Sequence, residues 1–195
     1  MATTDIDICA RALVMIGASP ITSFDDGTTE ATVAANLYED TVRDLLSRHR
    51  WRFSTGQVQL SRLVAAPDAR WDAAYQLPAD LLMLHAVTVT DDPIAYDRYQ
   101  DMIYCNATTE DVVYADYTFR ATEDLFPPYF TTALQLQLAS IFAYSVAAQE
   151  NLSDMFEKRA LRQMTIGRTI DSQSQTTRRL NVQRYNQVRT TTRGY

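Results

Sequence analysis

The sequence predicts an α+β fold: an antiparallel bundle of about four helices, an inserted small antiparallel β-sheet and an extended C-terminal arm. Three observations carry this expectation. Apolar residues recur at helical spacing before residue 50 and again beyond residue 125, while the stretch between them alternates as strands do. The residues from Ser172 onward hold five arginines and no acid. The expected units are therefore a helical bundle over 1–51 and 125–171, a β subdomain over 52–124 and a basic arm over 172–195. At 195 residues the chain is long enough for one substantial core carrying an insertion.

The first helix is expected over Thr4 to Gly17. Thr4 and Asp7 are spaced as a capping pair, Ile6, Cys9, Ala10, Leu13 and Ile16 share a face, and Gly17 followed by Pro20 stops the helix. Asp25-Asp26-Gly27 reads as a turn rather than a metal or acid/base site, because no further ligand arrives at useful spacing. Thr28 or Thr29 then caps the most strongly patterned helix. In it Ala34, Tyr38, Val42, Leu45 and His49 form the inward stripe, widened by Leu37 and Leu46, opposite a charged face. The pairs Glu39/Arg43 and Asp44/Arg48 add only about 0.2–0.5 kcal/mol each, so burial must supply most of its stability. Trp51 and Phe53 directly after it are the expected structural anchors, at the seam where helices give way to strands.

From Arg52 to Arg120 the period changes. Phe53 to Leu63, Leu81 to Thr90 and Val112 to Phe119 are strand-like, separated by the turn formers Pro67-Asp68, Leu77-Pro78, Asp91-Asp92-Pro93 and Asn106. The aromatics Tyr96, Tyr99, Tyr104, Tyr114, Tyr117 and Phe119 invite comparison with a single-strand stacking platform. Residues 91–124 are acidic and would repel phosphate, so packing is the better reading.

Phe126-Pro127-Pro128 opens a third helix running to about Glu150, with proline suited to its first turn. Leu125 to Gln149 carries no charge, which fits either a membrane span or a helix packed on several sides. Gln135, Gln137, Ser140 and Ser145 and the lack of a cationic flank favour packing, with Tyr129 and Phe130 as further anchors. Asn151 is the expected cap of a fourth helix that turns Leu152, Met155, Phe156, Ala160 and Met164 inward and fades near Ser172. In the arm, Leu180, Val182, Tyr185 and Val188 are too few to fold alone and suit docking on a partner.

Charge is divided unevenly. Residues 1–171 carry 13 basic and 24 acidic side chains, hence −11, whereas the arm carries +5 from Arg178, Arg179, Arg184, Arg189 and Arg193. Such a split suits an arm that reaches an acidic surface or a phosphate backbone. No apolar run at the N-terminus follows a basic segment, so no secretory signal peptide is expected, and two cysteines are too few for a disulfide framework.

Catalytic motifs are not recognisable. His49 and His85 have no partner at metal-ligand spacing, and His49 reads as an imidazolium at a helix C-terminus. The five glycines form no phosphate-cradling loop. Carboxylate pairs such as Asp91-Asp92 and Glu123-Asp124 read as turns and caps, although spacing alone leaves open an acid/base pair assembled by the fold. The expectation is a protein that is not an enzyme and needs no cofactor or metal.

Several short blocks occur in a telling order. They are Ile8-Cys9-Ala10 with Ala12-Leu13 and Ile16-Gly17, then Phe24-Asp25-Asp26-Gly27, then His49-Arg50-Trp51-Arg52-Phe53 and Tyr75-Gln76-Leu77-Pro78-Ala79-Asp80. Val113-Tyr114 follows, and then Phe126-Pro127-Pro128-Tyr129-Phe130 ahead of Ala133-Leu134 and Leu138-Ala139. Together, over residues 6–150, they resemble the tail tubular protein A family, the head-to-tail adaptors of T7-like short-tailed phages. The resemblance implies a virion protein of the neck, assembled in the host cytoplasm as a homo-oligomeric ring, a dodecamer, between the portal protein and a tail nozzle protein resembling tail tubular protein B. Genomic double-stranded DNA would pass through the bore without sequence-specific binding. The arm residues Arg178, Arg179, Arg184, Tyr185, Arg189 and Arg193 are then the expected contacts to portal or neighbouring subunit. The alternative is a nucleic-acid-binding module that uses the same arginines.

Overall fold

In a computed structural model that describes residues 4–65, 67, 69–90 and 92–174, the chain is α+β, with four helices and two antiparallel sheets of four strands. The arm residues Arg178, Arg179, Arg184, Tyr185, Arg189 and Arg193 lie outside the described residues.

Helix α1 (Asp5–Met15) opens with a capping box, in which the Thr4 hydroxyl accepts from the Asp7 N–H and the Asp7 carboxylate accepts from the Thr4 N–H. It closes at Gly17, whose φ of +78° lets the Gly17 and Ala18 N–H groups bond back to Val14 and Leu13. Its buried residues are Ile8, Cys9, Ala12 and Leu13, so the inward face is turned slightly from the one the spacing suggested. Helix α2 (Thr29–Ser47) is capped by Thr28 and buries Ala31, Ala34, Tyr38, Thr41, Val42, Leu45 and Leu46.

Helix α3 (Pro128–Ser145) starts on a proline and is enclosed by α1, α2 and helix α4 (Glu150–Gln173), which explains why it needs no charged face. One expectation about α4 is corrected. It starts at Glu150 after Gln149 with no side-chain cap, so Asn151 lies inside the first turn; it ends at Gln173, next to the Ser172 where it was expected to fade. Among the described residues, no helix is long and apolar enough to cross a membrane.

The β region holds more strands than the alternation showed. One sheet has the order β1 (Thr55–Gln59), β8 (Val113–Phe119), β4 (Leu81–Val89), β5 (Asp92–Pro93). The other has β2 (Ser61–Arg62), β3 (Ala73–Gln76), β7 (Met102–Cys105), β6 (Tyr96–Tyr99). The chain passes from β1 directly into β2 at Leu60, and from β5 into β6 at Ile94. These two long strands each serve both sheets, so the partners close into a circuit from β8 through β1/β2, β3, β7 and β6/β5 to β4 and back. Strands that switch sheets at corners produce a flattened barrel with little exposed edge. A single small sheet is therefore replaced by two. The strands β3, β6 and β7 escape the period-2 reading because Ala73, Ala74 and Tyr75 are all buried and β6, Tyr-Asp-Arg-Tyr, is largely polar.

Leu60, Tyr75, Leu77, Val87, Ile103 and Val113 fill the barrel with small residues between them. A separate core lies among the helices, and Leu82 of β4 and Phe119 of β8 face it.

Candidate functional site

The two halves meet where α2 ends. Its C-cap is Arg48, after which the chain turns and buries Trp51 completely. The indole Nε1 donates to the Leu45 carbonyl at 3.0 Å, one of the carbonyls left free in the last turn of α2. Around the indole stand Phe53 at 5.9 Å, Tyr129 at 6.1 Å and Phe130 at 5.4 Å between ring centroids, and Phe126 packs on Phe53 and Phe130. All four residues singled out in the sequence, Trp51, Phe53, Tyr129 and Phe130, are thus brought into one cluster spanning the α2 exit and the α3 start.

The C-terminal end of α4 closes over this cluster. A Cβ at Gly167 would come within 3.2 Å of Tyr129, so glycine lets the helix press directly on the rings. One turn later the carboxylate of Asp171, 4% exposed, accepts from Tyr129 Oη at 2.8 Å and from the Arg52 N–H at 3.3 Å. Burial, and then the hydrogen bond to Asp171, raise the Tyr129 pKa, so the phenol remains a donor. The sequence reading passed over Asp171 and Gly167. Their signal was present, because both continue the inward stripe Phe156, Ala160, Met164 at steps of three and four.

His49 lies with its Nε2 3.8 Å from Asp171 and its ring edge-on to Trp51. Its pKa is lowered, first by burial and further by Arg168, with Asp171 opposing. Burial and Arg168 thus favour the neutral ring against Asp171, whereas the sequence reading weighed only the helix end. Beside it opens a groove of about 720 Å³ lined by His49, Arg50, Arg52, Thr55, Asp116 and Ser172. Arg50 pairs with Asp116 at 3.4 Å, and Arg168 donates to the Arg48 carbonyl. The end of α4, from which residues 175–195 continue, thus lies beside Arg50 and Arg52, with Asp116 and Asp171 among them.

A second joint locks the exit of the barrel to α2. Arg120, just after β8, bonds Glu39 at 2.9 Å and Glu123 at 2.7 Å, and Tyr38 Oη donates to Glu123 at 3.0 Å. Burial works against charge on Arg120, but the hydrogen bonds it donates to both carboxylates outweigh it and raise the guanidinium pKa. Sequence spacing had assigned Glu39 to Arg43, which it also meets, at 3.6 Å.

Among the described residues, no group of three His, Cys, Asp or Glu side chains gathers to hold a metal ion. Asp26 instead accepts from the Thr22 and Ser23 N–H groups and shapes its loop. Cys9 and Cys105 are buried thiols, and burial pushes the Cys9 pKa up to about 12. No protein-family model matches the chain, and no curated protein matches it.

Proposed function

We propose that the chain is a structural virion protein, the head-to-tail adaptor ring that joins the portal to the tail nozzle and forms part of the DNA ejection channel. The observation that carries this reading is the ordered run of blocks from residue 6 to residue 150 that resembles the tail tubular protein A family. In this reading the four helices pack as an antiparallel bundle in the ring wall, and the β region faces the nozzle. The Arg-rich arm clamps the portal or the next subunit, with contacts multiplied round the ring. The protein is not an enzyme. An acidic body supports the reading, because it leaves passing DNA phosphates without a salt-dependent grip. So does the seam, where aromatic packing and the buried Asp171 join the two halves rigidly.

Electron microscopy of the purified chain with and without portal rings tests the proposal. The expected result is rings that cap the portal, and a chain ending at Ser174 that remains folded and no longer docks. A strictly monomeric particle that ignores the portal sinks the adaptor reading. Truncation without effect on docking removes the arm from it.

The five arginines favour one second reading, a nucleic-acid-binding module. Duplex binding measured against salt separates the two. A phosphate binder shows a log–log slope near −0.9 per contact, roughly −4 to −5 for five arginines, and an adaptor binds weakly.

A further inference from the structure

The β6–β7 hairpin presents an aromatic pair that the two joints leave unused. Tyr99, 40% exposed, and Tyr104 face each other with ring centroids 4.8 Å apart. Asp97 stands beside them, accepting from Trp71 Nε1 at 3.2 Å with its side chain still 45% exposed, and exposed Asp101 caps the hairpin. Acid flanking an aromatic pair repels phosphate and suits a guanidinium, which finds ring faces and carboxylates together. The patch already takes one. Arg70 reaches in from the rim, its Nη2 3.1 Å from Tyr99 Oη and 3.8 Å from Asp97, with the side chain 73% exposed and so held only loosely.

The same chain carries an acid-free segment with five guanidinium groups, residues 175–195, while residues 91–124 hold nine acids against two arginines. That segment continues from the end of α4, beside Arg52 and Arg168. Its 21 residues span at most about 70 Å, several times the radius of gyration of about 16 Å expected for 174 residues.

We infer that the Tyr99–Tyr104 hairpin, with Asp97 and Asp101, is a receptor for arginine side chains, and that its occupant is the 175–195 segment of a second copy of this chain. This rests on the reading of the basic segment as a contact between subunits.

Disulfide trapping on full-length protein tests it. Two populations are prepared, Gln100→Cys in the exposed turn next to Tyr99 and Asn186→Cys in the segment, one of them mass-tagged. The native Cys9 and Cys105 are buried and do not compete. Mixing under mild oxidation is expected to give the tagged heterodimer. Its yield should fall about tenfold when Asp97→Asn and Tyr99→Ala are added to the hairpin chain, the size expected for one exposed ion pair and one exposed cation–π contact. No heterodimer, or a yield that ignores these changes, overturns the inference. So does a link formed only within a Gln100→Cys/Asn186→Cys double variant, independent of dilution. Portal docking is scored in parallel on the Asp97→Asn/Tyr99→Ala protein. Rings that still dock while trapping fails overturn the receptor and leave the adaptor reading standing.

Discussion

Trp51 and Tyr75 are both enclosed aromatic residues with one polar atom apiece, and those atoms fare differently. In the helical half the Trp51 N–H reaches the Leu45 carbonyl, and the neighbouring Tyr129 hydroxyl reaches Asp171. In the barrel the Tyr75 hydroxyl, also buried, has no hydrogen-bond partner among the described residues. The helical core is large and aromatic, and its polar groups are drawn into the joint. The barrel core is narrow, padded with Ala73, Cys105, Ala107 and Ala115, and gains its order from a closed ladder of backbone hydrogen bonds. The difference teaches that the two halves stand on different supports, burial in one and closure in the other.

The largest expected effect probes the helical support. Trp51→Ala should destabilise the protein by about 3–5 kcal/mol in denaturant unfolding, because a fully enclosed indole leaves a cavity that four rings cannot refill. A loss below about 1 kcal/mol would mean that the seam collapses freely, and the contrast with the barrel would fail. Next comes Asp171→Ala, expected to lower stability by about 1–3 kcal/mol by leaving Tyr129 Oη and the Arg52 N–H without an acceptor. Tyr129→Phe in the same background should add little further loss, and a double-mutant cycle checks this coupling. The smallest effect has the opposite sign. Tyr75→Phe removes an unpartnered buried hydroxyl and should be neutral or stabilising by up to about 1 kcal/mol. A clear destabilisation would show that the hydroxyl is satisfied in solution and that the barrel, like the seam, pairs its polar groups.

Much of the helical half was legible because its signals are local. Thr4 and Asp7 cap α1 across three residues, Thr28 caps α2, Pro128 opens α3, and the uncharged run Leu125 to Gln149 announces an enclosed helix. The barrel was less legible. Its strands β3, β6 and β7 are only four residues each; β3 finds its partner 26 to 32 residues away, as Tyr75 opposite Ile103, and the hairpin of β6 and β7 is held in the barrel through that pairing. The site divides the same way. Trp51, Phe53, Tyr129 and Phe130 announce themselves as large aromatics beside helix ends. Asp171 and Arg120 acquire much of their meaning from distant groups, Asp171 from Tyr129 and Arg52 and Arg120 from Glu39.

By itself, then, the sequence determined the helices, their caps, the change of period at Arg52 and the separation of charge between body and C-terminal segment. Each depends on neighbours within a few residues or on composition. Only the tertiary structure decided that the strands close into two sheets sharing two long strands, that α4 presses on Trp51 through Gly167, and that His49 stands beside a buried carboxylate. Those outcomes depend on which distant surfaces exclude water together, and no local pattern encodes that.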